Sequence, residues 1–126
     1  MRFVKYHGLG NDFIVLDSAV AITPQLAQRL CRRGFSIGAD GLMRVAPPTS
    51  PGADVTMDLV NSDGSLPEMC GNGIRCLVKH AVDVLGHTRN PLVVDTPAGP
   101  LACHWTADPN GKVVSVRVAM GRPRFA

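Results

Sequence analysis

The chain has 126 residues with 45% hydrophobic and 18% charged content, which predicts one folded domain and excludes a disordered chain. Its 13 basic and 10 acidic residues give a formal net charge of +3, and the basic residues are scattered along the chain. Aromatic residues make up only 5%, so we do not expect a nucleic-acid surface, which needs a basic stripe and stacking rings.

No apolar run reaches the length of a membrane span, and the N-terminus lacks the apolar core of a signal peptide, so we expect a cytoplasmic protein. The cysteines are too few for a secreted disulfide scaffold of this size, and none belongs to a Cys-x-x-Cys pair: Cys31, Cys70, Cys76 and Cys103. If Cys70 and Cys76 share a helix, they lie about 120° apart around it. Neither a shared metal ion nor a disulfide is therefore expected.

The first part of the chain predicts two short strands joined by a turn. Residues 2–6 alternate weakly, residues 13–16 are apolar, and residues 7–12 contain two glycines, an Asn and an Asp. The Gly-x-Gly of this turn lacks a third glycine and precedes a strand, which excludes a dinucleotide-binding fingerprint. The turn is either a simple hairpin connection or a place where Asn11 offers hydrogen bonds to a polar ligand.

A surface helix follows, to which we assign no chemical role. Thr23 is predicted as its N-cap, Pro24 as its first residue, and Gly34 as the residue that ends it. A turn then leads into a strand over residues 42–45, and the proline-rich residues 47–52 predict an exposed loop.

Residues 55–61 alternate between apolar and polar side chains, which predicts a strand with one buried face. Val55, Met57 and Leu59 are expected to face the core. Asn61 falls on the same side at the end of the strand, which is where a strand delivers a side chain to a site.

A long helix is predicted from Cys70 to Gly86, which ends it. Apolar residues cover most of its surface at helical spacing: Ile74, Leu77, Val78, Ala81, Val82 and Leu85. Only Arg75, Lys79 and Asp83 form a narrow polar stripe. The helix is therefore expected to be packed on several sides.

Three more strands complete the pattern, over residues 92–96, over residues 101–105, and after a turn at residues 108–111. The total is about seven strands and two helices, with no internal repeat and no interior domain boundary. This predicts a mostly β domain wrapped around one buried helix.

The start of the long helix combines features of a reactive site. Gly71 and Gly73 leave the backbone N–H groups of the first turn open to a ligand, and such groups have no partner inside a helix. Their partial positive charge favours a carboxylate and a thiolate, so we expect a depressed pKa for Cys70. The alternative is a small buried cysteine, although a packed cysteine has no need of the Gly-Asn-Gly that follows.

Four motifs, in this order, resemble the diaminopimelate epimerase family. They are His7-Gly-Leu-Gly-Asn-Asp-Phe13, Gly38-Ala-Asp-Gly41, Asn61-Ser-Asp-Gly-Ser65 and Cys70-Gly-Asn-Gly-Ile-Arg-Cys76. Two later segments, Thr96-Pro-Ala-Gly99 and Met120-Gly-Arg-Pro-Arg-Phe125, are similar to segments of the first half of the family's chains. The resemblance therefore covers nearly the whole sequence.

The resemblance implies an amino-acid epimerase that uses no pyridoxal phosphate, no other cofactor and no metal. Members have two similar halves, each a mixed α+β domain whose β-sheet curls into a barrel around a central helix, with the site in the cleft between them. One cysteine, as a thiolate, removes the α-proton of diaminopimelate, and a cysteine of the other half delivers a proton to the opposite face. The reaction converts LL-diaminopimelate to meso-diaminopimelate for lysine and cell-wall biosynthesis.

By this resemblance Cys70 is the catalytic cysteine of this half, and four residues bind the substrate: Asn11, Asn61, Gly71 and Asn72. Gly41 stands where relatives often have a glutamine that contacts the substrate, so that contact is missing or replaced. Cys76 belongs to the motif, but helical geometry points it away from Cys70, and we interpret it as structural.

Residues 1–126 correspond to the N-terminal domain of the family, and the second domain, with the second cysteine, is absent from this sequence. The expected partners are diaminopimelate and the missing half or a second chain, with a homodimer left open and no nucleic acid or membrane. This chain alone is expected to be inactive. Two alternatives remain: another two-cysteine racemase similar to proline racemase, and a stand-alone thiol- or carboxylate-binding module.

Overall fold

The computed structural model of the chain describes residues 3–7, 12–16, 22–31, 39–64, 71–97 and 99–119. These residues form seven strands and two helices, in the order β1 (Phe3–His7), β2 (Asp12–Leu16), α1 (Pro24–Cys31), β3 (Gly41–Ala46), β4 (Val55–Asn61), α2 (Gly71–Asp83), β5 (Leu92–Thr96), β6 (Gly99–Ala107) and β7 (Val113–Ala119). The strands make one mixed sheet in chain order, curled into a half-barrel. The predicted α+β class is confirmed.

The sheet contains two parallel strand pairings among antiparallel ones. Strands β2 and β3 are parallel over three residue pairs, and β4 and β5 are parallel over two. Parallel neighbours need a crossover connection, and here α1 lies between β2 and β3 in the chain while α2 lies between β4 and β5. Strands β1 and β7 are the edges of the described sheet.

Helix α2 packs on the concave face of the sheet. Alternate side chains of β4 point toward it, and the predicted burial of Val55, Met57 and Leu59 is confirmed. The same core holds apolar residues of α2 and of four other strands: Phe13, Val15, Met43, Val45, Ile74, Leu77, Val78, Ala81, Leu92, Val94, Leu101 and Cys103. A helix packed on several sides is therefore observed, as its apolar surface predicts.

Helix α1 covers the convex face. Its Ala27 and Cys31 pack with side chains of β2, β3 and β4 that point away from α2: Ile14, Leu16, Leu42 and Val60. The predicted N-cap is confirmed, since Oγ1 of Thr23 accepts a hydrogen bond from the N–H of Leu26 at 3.1 Å. The predicted stop at Gly34 lies outside the described residues. Neither described helix is both long and apolar enough to cross a bilayer.

The C-terminal end of α2 is capped by Gly86, as predicted. Gly86 has a φ of 80°, and the N–H of His87 donates to the carbonyl of Ala81 at 3.0 Å. The helix itself ends at Asp83, so Leu85, which we expected on its apolar face, is 42% exposed. The apolar spacing continues past the last helical turn, where the side chain is partly exposed to solvent.

The polar stripe of α2 fastens the helix to β7. Nζ of Lys79 donates to a carboxylate oxygen of Asp83 at 2.8 Å and to the carbonyl of Val113 at 2.9 Å. The other carboxylate oxygen of Asp83 accepts the N–H of Val113 at 2.9 Å. Two members of the polar stripe, Lys79 and Asp83, therefore attach the helix to an edge strand.

Strand β7 carries a register shift opposite residues 106 and 107 of β6. The extra residue exchanges the faces at the start of the strand, so Val113 is buried while Val114 is 64% exposed. Val116 and Val118 then pack against the core, so every second side chain faces it beyond the shift.

A buried polar pair joins α2 to β1. Oη of Tyr6 lies 2.9 Å from Nδ1 of His80, and the two rings meet edge to face with centroids 5.7 Å apart. Burial, with smaller contributions from Asp83 and Cys76, raises the pKa of Tyr6 to about 12. Burial also lowers the pKa of His80, although Asp83 opposes that shift. The neutral imidazole is therefore the form that the fold favours.

This pair makes folding stability depend on pH. Because the folded pKa of His80 lies below its ordinary value of 6.5, the unfolded chain binds a proton more readily as the pH falls below 6.5. The stability contributed by the neutral imidazole is present above that pH and is lost below it, with a slope of up to about 1.4 kcal/mol per pH unit. Urea unfolding of the protein and of His80→Phe between pH 5 and pH 8 measures the difference. Equal pH slopes for the two proteins would contradict this assignment.

Candidate active site

The structure describes part of the predicted site. Asn11 and Cys70 lie outside the described residues, and for Gly71 and Asn72 the backbone is described as the first two residues of α2. Asn61 is described in full as the last residue of β4. The geometry of the site therefore comes from Asn61 and from the described neighbours of the other predicted residues.

Strands β2, β3 and β4 each have one end at the same edge of the sheet, where the predicted site lies. Phe13 pairs with Gly41 across β2 and β3, and Gly41 pairs with Asn61 across β3 and β4. Asn61 lies on the concave face, because it alternates with the buried Leu59. Asp12, which follows the predicted Asn11 in the sequence, begins β2 at this same end. The start of β2 and the end of β4 are thus two strands apart, about 10 Å.

Helix α2 begins on the side of the sheet that carries Asn61 and runs toward the opposite end. Strands β4 and β7 run in the same direction, so the start of β7 lies at the end opposite to Asn61. Asp83, the last residue of α2, is bonded there to Val113. Gly71 lies twelve residues earlier, about 18 Å along the helix axis, which directs the start of α2 toward the end that carries Asn61.

The turn after Asn61 rests on α1. The carbonyl of Asn61 accepts the N–H of Gly64 at 2.9 Å, and Nε2 of Gln28 donates to the carbonyl of Asp63 at 2.8 Å. Gly64 has a φ of 89°, and a Cβ there would lie 2.9 Å from Nε2 of Gln28 and 3.3 Å from Cβ of Pro24. The surface helix to which we assigned no chemical role therefore supports the turn at Asn61.

Asp40 connects the start of β2 with the residue that follows β4. Its carboxylate accepts the N–H of Asp12 at 2.7 Å, and its own N–H donates to the carbonyl of Asp12 at 2.8 Å. The carbonyl of Asp40 accepts the N–H of Ser62 at 2.9 Å. Sequence reasoning treated Asp40 only as part of a turn, because a bond between segments distant in the chain leaves no local signal.

The backbone of Gly41 lies against buried apolar side chains. A Cβ at this position would lie 3.1 Å from Cδ1 of Phe13 and 3.2 Å from Cδ1 of Leu59, closer than ordinary van der Waals contact. Both neighbours are buried in the core around α2. A larger side chain at position 41 would have to displace that packing, which explains why glycine is favoured here in this chain.

The three described cysteines are buried thiols. Cys31 is 2% exposed, Cys76 8% and Cys103 0%, and none of them forms a disulfide. Burial raises the pKa of Cys103 to about 11, which makes it a poor nucleophile near neutral pH. The burial of Cys76 in the core around α2 agrees with the structural role expected for it.

Comparisons with known proteins point to one family. A sequence model described as "Diaminopimelate epimerase" matches residues 3–126. Curated relatives named diaminopimelate epimerase include those of Desulfitobacterium hafniense, 46% identical, and Synechocystis, 47% identical. The matches cover 98% and 99% of this chain and 44% of each relative. The chain therefore spans slightly less than half the length of these relatives.

Solved structures show the same fold at low sequence identity. A probable proline racemase from Agrobacterium radiobacter superimposes with a TM-score of 0.73 at 16% identity, covering 94% of this chain and 41% of the other. A Bacillus anthracis phenazine biosynthesis protein of the PhzF family superimposes with a TM-score of 0.60 at 20% identity, covering 88% of this chain and 36% of the other. The observed half-barrel thus belongs to a known architecture.

The turn after Asn61 can be tested with two glycine variants. Both Gly64→Ala and Gly86→Ala place a side chain at a positive φ, which costs about 1 kcal/mol each. Only Gly64→Ala also crowds Gln28, because a Cβ at Gly86 meets nothing within 4 Å. We expect Gly64→Ala to lose more stability in urea unfolding and to shift the amide resonances of residues 61–64. Equal losses, with those resonances unmoved, would contradict the contact.

Proposed function

Because the chain belongs to the diaminopimelate epimerase family, we propose that it supplies one half of the active site of a pyridoxal-phosphate-independent diaminopimelate epimerase. The observation that carries the proposal is the family match over residues 3–126, together with relatives of that name at 46–47% identity. The reaction is the interconversion of LL-diaminopimelate and meso-diaminopimelate, in lysine biosynthesis. The proposed location is the cytoplasm.

In the proposed reaction Cys70 is one of two cysteines on opposite sides of the substrate α-carbon. One sulfur, as a thiolate, takes the α-proton and becomes a thiol, and the electron pair of the broken C–H bond stays on the substrate. The other sulfur, a thiol, gives its proton to the opposite face and becomes a thiolate. Two groups are needed because a single base would return the proton to the side from which it came.

The position of Cys70 in the sequence supports a thiolate. Helix α2 begins at Gly71, directly after Cys70, and it is long enough to carry a dipole whose positive end lies at that start. A thiol near a helix N-terminus has a depressed pKa. The described cysteines have the opposite environment, since all three are buried and the pKa of Cys103 is raised.

The proposed substrate contacts use the amides of this end of the sheet. Asn11 and Asn61 offer both donors and an acceptor, which suits the amino and carboxylate groups of an amino acid. The backbone N–H groups of Gly71 and Asn72 belong to the first turn of α2 and suit a carboxylate. Negative charge that develops on the carboxylate as the α-proton leaves is stabilised by the same donors.

We propose that the second cysteine lies outside residues 1–126. We assign residues 1–126 to the N-terminal domain of the enzyme, and we propose that a C-terminal domain, or a second chain, closes the cleft. The chain covers 44% of the relatives from Desulfitobacterium hafniense and Synechocystis, which leaves room for a domain of similar size. The complete enzyme is proposed to act as a homodimer.

Alkylation tests the reactivity of Cys70. With iodoacetamide at pH 7, we expect Cys70 to react at least roughly tenfold faster than Cys103, since the thiolate is the nucleophile and burial disfavours it at Cys103. Peptide mass mapping over time assigns each alkylated cysteine. A Cys70 that reacts as slowly as the buried cysteines would contradict a thiolate at this position.

Exchange in deuterated water tests the reaction itself. The chain alone should neither epimerise diaminopimelate nor exchange its α-proton. Joined to the part of the Synechocystis relative beyond the match, it should do both, and Cys70→Ala should lower the rate by about 10²–10⁴-fold. Mass spectrometry of the recovered amino acid counts the deuterium.

The matched control for this measurement is Cys76→Ala, which removes a thiol from the same helix. Cys76 is buried in the core, so this variant should cost some stability and keep exchange near that of the parent protein. Circular dichroism verifies that both variants are folded. Exchange that survives Cys70→Ala but is lost in Cys76→Ala would reverse the two assignments.

A further inference from the structure

Two aspartates make the same pair of bonds in different places. Asp40 is the residue before β3, and it bonds both the N–H and the carbonyl of Asp12 on the parallel neighbour β2, at 2.7 and 2.8 Å. Asp54 is the residue before β4, and it bonds both backbone groups of Val93 on the parallel neighbour β5, each at 2.8 Å. Each parallel pairing thus begins with an aspartate that holds the adjacent strand.

Short parallel pairings need such a bond. The two parallel pairings extend over only three and two residue pairs, whereas the antiparallel pairing of β3 with β4 extends over six. Hydrogen bonds from a backbone N–H to a carboxylate are charge-assisted and stronger than those of the ladder itself. Each aspartate therefore adds strength where the ladder is shortest.

The two aspartates lie at opposite ends of the sheet, because β3 and β4 run antiparallel. Asp40 lies at the end that carries Asn61, and Asp54 lies at the far end, where it also pairs with Arg89 at 3.3 Å. The carbonyl of Asp40 also accepts the N–H of Ser62 at 2.9 Å. It therefore connects Asp12 with Ser62.

Those two residues follow the predicted substrate-binding residues in the sequence. We propose that Asp40 is a positioning residue, which sets the spacing between the segments that carry Asn11 and Asn61. It acts through the backbone of Asp12 and Ser62 and has no assigned contact with the substrate. The inference rests on the proposed function for its substrate, because that function assigns Asn11 and Asn61 to diaminopimelate.

The experiment compares three variants of this chain: Asp40→Ala, Asp40→Asn and Asp54→Ala. Asp54→Ala is the matched control, since it removes the same carboxylate-to-backbone bond from the other parallel pairing, together with the pair to Arg89. Asp40→Asn keeps an oxygen that can accept the N–H of Asp12 without the charge, so it should partly rescue the effects of Asp40→Ala. It also serves as the test variant if Asp40→Ala does not fold.

Amide hydrogen exchange measures directly how firmly Asp40 holds Asp12 and Ser62. Asp40→Ala should speed exchange at Asp12 by roughly 10- to 100-fold, the factor expected for losing a hydrogen bond to a charged group, and Asp40→Asn by less. Ser62 donates to the backbone carbonyl of residue 40, which both variants keep, so exchange at Ser62 should rise by a smaller factor. Asp54→Ala should speed exchange at Val93 and leave Asp12 and Ser62 as they were. Unchanged exchange at Asp12 in the Asp40 variants would overturn the proposal.

Titration with diaminopimelate, followed by the amide resonances of the same proteins, measures the consequence. The Kd should rise roughly tenfold or more in Asp40→Ala, recover in part in Asp40→Asn, and stay near the parent value in Asp54→Ala. An equal loss of affinity in Asp54→Ala would show a general effect of stability and overturn the positioning role. If the parent chain alone binds no diaminopimelate, the same titration is made on the chain joined to the part of the Synechocystis relative beyond the match. Absence of binding there would overturn the proposed function, whereas amide exchange still decides whether Asp40 holds the two segments.

Discussion

The packing of α2 against the concave face of the sheet is the contact on which the rest of the structure depends. Side chains from β2 to β6 converge on one side of the sheet, and the helix covers them and removes them from water. The helix is in turn fastened at both edges, to β1 through Tyr6 and His80 and to β7 through Lys79, Asp83 and Val113. Its direction follows from these contacts, and with it the place where α2 begins, directly after Cys70.

A curled sheet of mixed direction needs extra strength where parallel strands meet. Asp40 and Asp54 supply it with the same pair of backbone bonds, one at each end of the sheet. At the far end the bond only completes the fold. At the end with Asn61 it also brings together the segments that precede β2 and follow β4, so the same interaction serves the fold and the candidate site.

The chemistry of the four cysteines separates according to their surroundings. The described ones lie in the two apolar cores, where burial removes the sulfur from reagents, and burial also raises the pKa of Cys103 to about 11. Cys70 precedes the start of a long helix, where the dipole favours the thiolate. The burial of the three described thiols agrees with the proposal that assigns the epimerisation chemistry to Cys70.

Local sequence was sufficient for much of this protein. Alternating side chains predict the strand over residues 55–61, and local capping and glycine signals predict the N-cap at Thr23 and the helix end at Gly86. These signals act between near neighbours in the chain. Alternation also placed Asn61 on the concave face. Only the tertiary structure decided the roles of Asp40 and His80, because their partners, Asp12 and Tyr6, are 28 and 74 residues away. The tertiary structure also decided the exposure of Val114, because the register shift depends on how β7 pairs with β6 and cannot be seen in the sequence of β7 alone.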